Sequence, residues 1–296
     1  MTVPQVPNFW RSPLDPERVM NVQVTRWQDN QQHQREDHLT VEEPLEIRLN
    51  QHSLAVIMRT PGHDHELALG FLLTEGIIKT LDDILLIQDG IDADDLPLAN
   101  VVDVTLRPSS ADLAEASDTP AFQRHFAVSA SCGLCGKNSI ADLLCNIPPV
   151  AIDDAHISVG AIYNLASQLR AQQDVFSHTG GLHAAGLFTS AGKLSLLRED
   201  VGRHNAVDKL IGHGLLHHTL PYTHHILLVS GRTSFEIIQK ALLARIPCIA
   251  AISAPSSLAV ELAESSGITL IGFLRDHSMN VYTHPERIEH GGRGQA

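Results

Sequence analysis

The feature that most constrains this chain is the regular exchange of helical and extended patterns after residue 199. Helical spacing over 203–216, 235–244 and 258–265 alternates with short apolar runs at 226–230, 248–253 and 268–273. Strand-sized runs separated by helices call for a parallel sheet with helical crossovers. Ligands in such sheets sit beyond the carboxyl ends of the strands, so the loops 230–234, 253–257 and 274–278 become the first candidate site. These loops are small, hydroxylated and carry Arg232 and Arg275. The fold class expected is α/β.

The segments before that core are less regular. Alternating residues at 44–49 and 54–60, around the polar turn 50–53, predict a hairpin. Pro61-Gly62 and Asp64, read as a cap, open a helix striped by Leu67, Leu69, Phe71 and Leu72 and ending before Gly76. A strand follows at 101–106, then a small, polar and acidic loop at 109–119. Residues 121–136 read as a strand entering Cys132-Gly133-Leu134-Cys135, and 138–145 as a short helix before Pro148-Pro149 breaks the chain. A long helix is expected over 158–173, with Ile162, Leu165, Ala166 and Leu169 on one face, then a hairpin of 182–188 and 194–197 with its turn at 190–192. The division that results is a disordered start (1–20), a smaller N-terminal α+β part (21–150) ending in the Cys-x-x-Cys loop, an α/β core (151–288) and a flexible tail (289–296).

Charge and hydropathy narrow the setting. Thirty-four acidic against 21 basic residues give −13, which disfavours a polyanionic partner such as nucleic acid. No run approaches the roughly 18 apolar residues of a membrane helix. The first thirteen residues carry three prolines and no apolar core of a targeting signal, so a cytoplasmic protein is expected. A reducing compartment makes a close cysteine pair chemical or metal-binding more often than structural.

Cys132 and Cys135 support several chemistries. A helix start after the pair and Lys137 beside it favour the thiolate, the nucleophilic form. Structural zinc needs two further ligands, and Cys145 and Cys248 stand alone, although 18 histidines leave a mixed site open. A deaminase-type zinc site needs His-x-Glu before Pro-Cys-x-x-Cys, whereas Ser131 precedes Cys132 and His63-Asp64-His65-Glu66 is wrongly spaced. Thioredoxin-like exchange expects the pair near a βαβ unit early in the chain. A persulfide sulfur carrier and a buried accident of a small-residue turn remain beside these. Spacing alone leaves the choice open.

Longer strings narrow it. Ser131-Cys132-Gly133-Leu134-Cys135-Gly136-Lys137, Thr179-Gly180-Gly181-Leu182-His183-Ala184-Ala185, the run 198–209 (REDVGRHNAVDK) and Ser230-Gly231-Arg232-Thr233-Ser234-Phe235-Glu236 occur in order. Together with Arg59-Thr60-Pro61-Gly62, Ser253-Ala254-Pro255 and Val281-Tyr282-Thr283-His284-Pro285, they closely resemble the FdhD/NarQ family of formate dehydrogenase accessory sulfurtransferases over about residues 40–288. The resemblance implies a homodimer with a cytidine-deaminase-like core lacking that fold's zinc and no metal ion of its own. It implies that sulfur from a cysteine desulfurase is held as a persulfide and passed to the molybdenum cofactor, bis(molybdopterin guanine dinucleotide), for formate dehydrogenase. Cys132 matches the persulfide-forming residue and Cys135 its partner. The family's cofactor-binding string falls on Phe273-Leu274-Arg275-Asp276-His277-Ser278, where Asp276 is an oddity for an anion site. A non-catalytic chaperone of the same cofactor is the alternative function, and a zinc-stabilised interaction module a third.

The residues themselves are compatible with that ligand. A protein of charge −13 needs local cations and backbone donors to hold phosphates, and Arg232 and Arg275, with Arg203 and His204 nearby, can supply them. Neither a Walker A motif nor G-x-G-x-x-G occurs, so ordinary ATP or NAD use is unsupported. His183 reads equally as a substrate-orienting group or a core histidine. Asp200 reads as the cap of the helix from Arg203, and Glu236 as a dipole-favoured acid at the next helix start. His213, His217, His218, His224 and His225 read as solvated surface, and Cys145 and Cys248 as small core residues.

Overall fold

The computed structural model describes residues 17–92, 94, 96–108, 148–150 and 156–289. Cys132, Cys135, Lys137 and Cys145 lie outside the described residues, as do the expected loop at 109–119, the strand and helix over 121–145, and the tail from 290.

The chain opens with a hairpin of two ten-residue strands, β1 (Val19–Gln28) and β2 (Gln31–Thr40), paired antiparallel throughout. Asp29 and Asn30 between them both have positive φ, the conformation of a tight hairpin turn. A four-stranded sheet follows, built from β3 (Glu43–Leu49), β4 (His52–Arg59), β5 (Ile84–Ile91) and β6 (Pro97–Leu106) in the order β4-β3-β6-β5. Helix α1 (Asp64–Thr74) leaves β4 and packs beneath this sheet. Asp64 is its first helical residue and not its cap. His63 occupies the cap position in the left-handed region and makes no side-chain capping bond, while the Asp64 carboxylate is held by the buried Arg59 guanidinium at 3.0 and 2.8 Å.

The second sheet has six strands in the order β13-β12-β11-β10-β8-β9. Its members are β8 (His183–Thr189), β9 (Leu194–Asp200), β10 (His225–Val229), β11 (Cys248–Ala251), β12 (Thr269–Arg275) and β13 (Ser278–Thr283). Parallel pairing joins β10, β11 and β12, while β8 pairs antiparallel with both β10 and β9, and β13 pairs antiparallel with β12. The three strands expected to be parallel from the sequence are so, and the expected hairpin of 182–188 and 194–197 extends their sheet through an antiparallel β8, which makes the whole sheet mixed. Helices α5 (Arg203–Leu216), α6 (Phe235–Leu243) and α7 (Ser257–Ser265) supply the crossovers.

Successive strand residues point to opposite faces, and the core divides accordingly. Leu227 and Val229 meet the crossover helices, whereas Ile226 and Leu228 meet α2 (Val159–Tyr163) and α3 (Leu165–Ala171) on the other face. The single helix expected over 158–173 is interrupted at Asn164, whose side-chain amide donates to the Gly160 carbonyl at 3.0 Å. The buried face of Ile162, Leu165 and Leu169 survives the interruption. A short helix, α4 (Asp174–Thr179), two two-residue strands, β7 (Ile157–Ser158) and β14 (Ile288–Glu289), and 3-10 turns at Leu81–Asp83 and Pro285–Arg287 are the remaining described elements.

One apolar cluster runs from the four-stranded sheet through α1 and α5 into the six-stranded sheet. Helices α1 and α5 meet at glycines: a Cβ on Gly70 would lie 1.9 Å from the Asp208 carbonyl oxygen, and one on Gly212 would lie 1.8 Å from that of Glu66.

Candidate functional site

The carboxyl ends of the parallel strands converge as the topology requires. After β10 the chain runs through Ser230-Gly231-Arg232-Thr233-Ser234 into α6. Ser230 stitches this loop to β8, accepting the Ala184 N–H at 2.9 Å on its hydroxyl and donating its own N–H to the Ala184 carbonyl at 3.0 Å. Gly231 lies flat against His183, since a Cβ there would stand 3.2 Å from the imidazole Nδ1. Thr233 bridges to Pro255 in the loop after β11, and the Ser256 N–H donates to the Thr233 carbonyl at 3.0 Å.

The run 198–209 turns most of its polar residues inward. Asp200 is fully buried: Oδ1 accepts the Gly202 N–H and the Asn205 amide, each at 2.8 Å, while Oδ2 accepts the Thr60 N–H at 3.2 Å and pairs with Lys209 Nζ at 2.7 Å. Gly202 holds the N-cap position of α5, so Asp200 is an ion-paired anchor under the helix start and not its cap. One turn on, Asp208 accepts two bonds of 2.8 Å from Lys240 of α6 and one of 2.9 Å from Thr74 of α1. Burial raises the Asp208 carboxyl and lowers the Lys209 ammonium. Both groups are structural.

This scaffold presents Arg203 and His204, the first two residues of α5, beside His183. Burial and the Arg203 guanidinium push both imidazoles down, His204 to about 4. Near neutrality the site therefore combines a fixed cation with two uncharged imidazoles. His204 Nε2 lies 3.2 Å from the Ser234 hydroxyl and 3.9 Å from Glu236, the acid in the first turn of α6. The Arg203 Nε is buried and has no hydrogen-bond partner among the described residues.

His183 separates two cavities. One, of about 150 Å³, is enclosed by α5, α6 and β4, with Arg203, His204, Glu236 and Lys240 in its wall. The other, of about 490 Å³, lies toward α3 and α4 and is lined by Arg170, Gln173, Phe176, Gly181, Ser230 and Ile252 among others. The Gln173 side chain is buried, and its amide nitrogen has no hydrogen-bond partner among the described residues. Arg170 stacks over Phe176 at 4.3 Å. A cavity of this size, mainly apolar with a few unmatched donors, has the character of a small-molecule site.

The string 273–278 forms the tip between β12 and β13. Phe273 is exposed with positive φ, Leu274 points into the core, and Arg275 donates to the Ile252 carbonyl at 2.6 Å. His277 meets Tyr163 edge-on at 5.8 Å, while Asp276 and Ser278 are exposed. Through Ile252 this tip adjoins the larger cavity. The structure thus brings together His183, Arg203 and His204, sets exposed Arg232 on the same loop as Gly231, and joins the 273–278 tip to them through the loop after β11. Sequence reasoning missed Arg170 and Gln173, which carry no motif: only the fold brings the end of α3 and its link to α4 against the Gly180-Gly181 turn. Cys248 is buried and its thiol is pushed up to about 12 by burial, in keeping with a core residue.

Comparison with known proteins bears on this arrangement. The model of the FdhD/NarQ family matches residues 40–289. The chain belongs to that family. Among curated relatives, a protein of Mycolicibacterium paratuberculosis named sulfur carrier protein FdhD is 49% identical over 260 residues, covering 86% of this chain and 93% of its own. One of the same name from Sulfolobus acidocaldarius is 43% identical over 272 residues, covering 92% and 99%. A crystal structure from Desulfotalea psychrophila, given provisionally as a formate dehydrogenase accessory protein, superposes with a TM-score of 0.71 at 24% identity, covering 92% of this chain and all of that one. The mixed α/β fold is that of the solved structure. Among the described residues no helix is long and apolar enough to cross a membrane.

Proposed function

We propose that this family member is a sulfur carrier in formate dehydrogenase maturation. The observation that carries the reading is likeness over nearly the whole chain to proteins named sulfur carriers, in a sequence that holds Cys132-Gly133-Leu134-Cys135. The Cys132 thiolate attacks the terminal sulfur of a persulfide on a cysteine desulfurase. A new S–S bond forms at Cys132 as the donor leaves as thiolate, so sulfur moves without net oxidation. Cys135 shares or relays it.

The acceptor is the molybdenum cofactor with its guanine nucleotide ends, bound as substrate. The cavities flanking His183 support this half of the reading. Arg203 offers a charged donor for phosphate, two neutral imidazoles stand beside it, and the 490 Å³ cavity suits one base and its sugar. Arg232 and the tip of Phe273, Leu274, Arg275, Asp276, His277 and Ser278 border the ligand, Leu274 only through its backbone. Formate dehydrogenase receives the sulfurated cofactor. The protein works in the cytoplasm as a homodimer on a cytidine-deaminase-like core, for which the strand order and the antiparallel β8 beside β10 are the support.

The deciding experiment is mass spectrometry of the peptide carrying Cys132 and Cys135 after incubation with a cysteine desulfurase and cysteine, with Cys132→Ala as control. The expected result is one added sulfur, absent in the control and released by reductant. No added sulfur, in a protein that still binds guanosine diphosphate, would replace the carrier with a cofactor chaperone. Arg203→Met is expected to weaken guanosine diphosphate about tenfold or more, the scale of a lost charged hydrogen bond.

A further inference from the structure

We propose that Glu66, His213 and His217 form a site for one divalent transition-metal ion of the zinc class, clasping α1 to the last turn of α5. Each of the three residues offers one ligand atom, and these atoms all lie within 4.8 Å of one another. His213 in the last turn of the helix and His217 at its C-cap are four residues apart, and their ring centres lie 4.2 Å apart with the planes tilted by 44°. Two imidazoles with this spacing can chelate one ion, and the C-terminal end of a helix favours positive charge. The histidines at 213 and 217 read from the sequence as solvated surface. His213 is instead half-buried against Glu66 and Arg198.

The third ligand is prepared to bind. Glu66 is only 7% exposed, and although burial pushes its carboxyl up, hydrogen bonds from Arg198, His63 and His213 outweigh this and hold it well below the usual carboxylate range. Arg198 grips both carboxylate oxygens with its fork, fixing their direction as an outer partner does in metal sites.

A second observation points to a ligand at this place. His213 Nδ1 lies 2.9 Å from Glu66 Oε1, an acceptor, and 3.0 Å from an Arg198 terminal nitrogen, a donor. In either protonation state it serves one neighbour and opposes the other. A metal ion resolves the conflict, because it takes the Nδ1 lone pair and an Oε1 lone pair together. Metal–ligand bonds of about 2.0–2.2 Å put tetrahedral ligand atoms about 3.4 Å apart, which an adjustment of the exposed His217 side chain can reach. Two imidazoles and one carboxylate suit zinc, nickel or cobalt ahead of calcium or magnesium. Glu66 also lines an open cleft of about 670 Å³, which leaves room for water as a fourth ligand.

The test is titration of the full chain with Zn²⁺ by calorimetry, in the Cys132→Ser/Cys135→Ser background so that thiols do not contribute. The expected result is one ion per chain, weakened about tenfold or more by His217→Ala or His213→Ala and unchanged by the surface control His224→Ala. Because His217 is exposed, its truncation leaves the fold in place. Co²⁺ gives an independent readout, the visible absorption of a tetrahedral N/O site, which His213→Ala should abolish. Failure to bind one Zn²⁺ per chain, binding untouched by His217→Ala, or a cobalt spectrum unaffected by His213→Ala would each overturn the proposal.

Discussion

Gly70 of α1 lies directly over the carbonyl of Asp208 in α5, so close that an added methyl group would stand 1.9 Å from the oxygen and 2.6 Å from the carbon. Both partners are backbone atoms in the middle of helices, and neither can rotate away. On an exposed helix Gly70→Ala would gain about 1 kcal/mol from propensity. Here separating the helices outweighs that gain, and a net loss of about 2 kcal/mol or more is expected. Urea unfolding measures it, and an unchanged or higher midpoint would contradict the close approach.

The same helix contact rests on a buried ion pair. Lys209 is 1% exposed, and its ammonium meets the fully buried Asp200 at 2.7 Å and the Thr60 carbonyl at 2.8 Å. Lys209→Met leaves the Asp200 carboxylate unpaired in the core, at an expected cost of about 3–5 kcal/mol. Neutralising the partner as well, in Asp200→Asn/Lys209→Met, should recover part of that loss. A single variant within about 1 kcal/mol of the parent would refute the pair's role.

Much of this architecture was legible because apolar spacing reports burial. The helix predicted over 203–216 has those bounds in the structure, and the strands around Ile226, Cys248 and Leu270 fall where short apolar runs stood. Strand direction was legible where a crossover helix or a tight turn fixes it, in β10–β12 and in the β8–β9 hairpin, but not in the antiparallel seating of β8 beside β10 or of β13 beside β12, since an apolar run gives the same signal whichever way it runs. The hairpin of β1 and β2 escaped notice for a different reason. Residues of β2 such as Gln31, Gln32, His33 and Gln34 are all exposed, so no alternation exists to read. At the site, strings of small and charged residues marked His183 and Arg203. They could not distinguish the inward residues Asp200, Asn205, Asp208 and Lys209, which build the platform, from the outward ones that face a ligand.

Cys248 provides a check on the cysteine chemistry. It lies at the start of β11 with no solvent exposure, and burial pushes its thiol up to about 12. A neutral, enclosed thiol is a poor nucleophile. Iodoacetamide at pH 8 should leave the peptide containing Cys248 unmodified in the native protein and modify it in denaturant. Native labelling at a rate comparable to that of an unfolded thiol would show that this strand opens.

His204 gives the site its own dependence on pH. Burial first, and then the neighbouring Arg203 and Lys240 charges, lower its imidazole to about 4, whereas in the unfolded chain it titrates near 6.5. Above pH 6.5 the ring is neutral in both states and its contribution to stability is at its full value. As the pH falls from 6.5 toward 4 the unfolded chain takes up a proton that the folded protein refuses. Stability drops across that window by roughly 3 kcal/mol in all, since each tenfold difference in proton affinity between the two states is worth about 1.4 kcal/mol. Below 4 both states are protonated and the loss levels off. His204→Gln should flatten this part of the pH profile relative to the parent, and the imidazole Cε1 proton of His204 should hold a constant NMR shift from pH 8 to 5. Movement of that resonance with a midpoint near 6.5 would mean that the ring is neither buried nor faced by Arg203 in solution, and that the pairing of one cation with neutral imidazoles is absent.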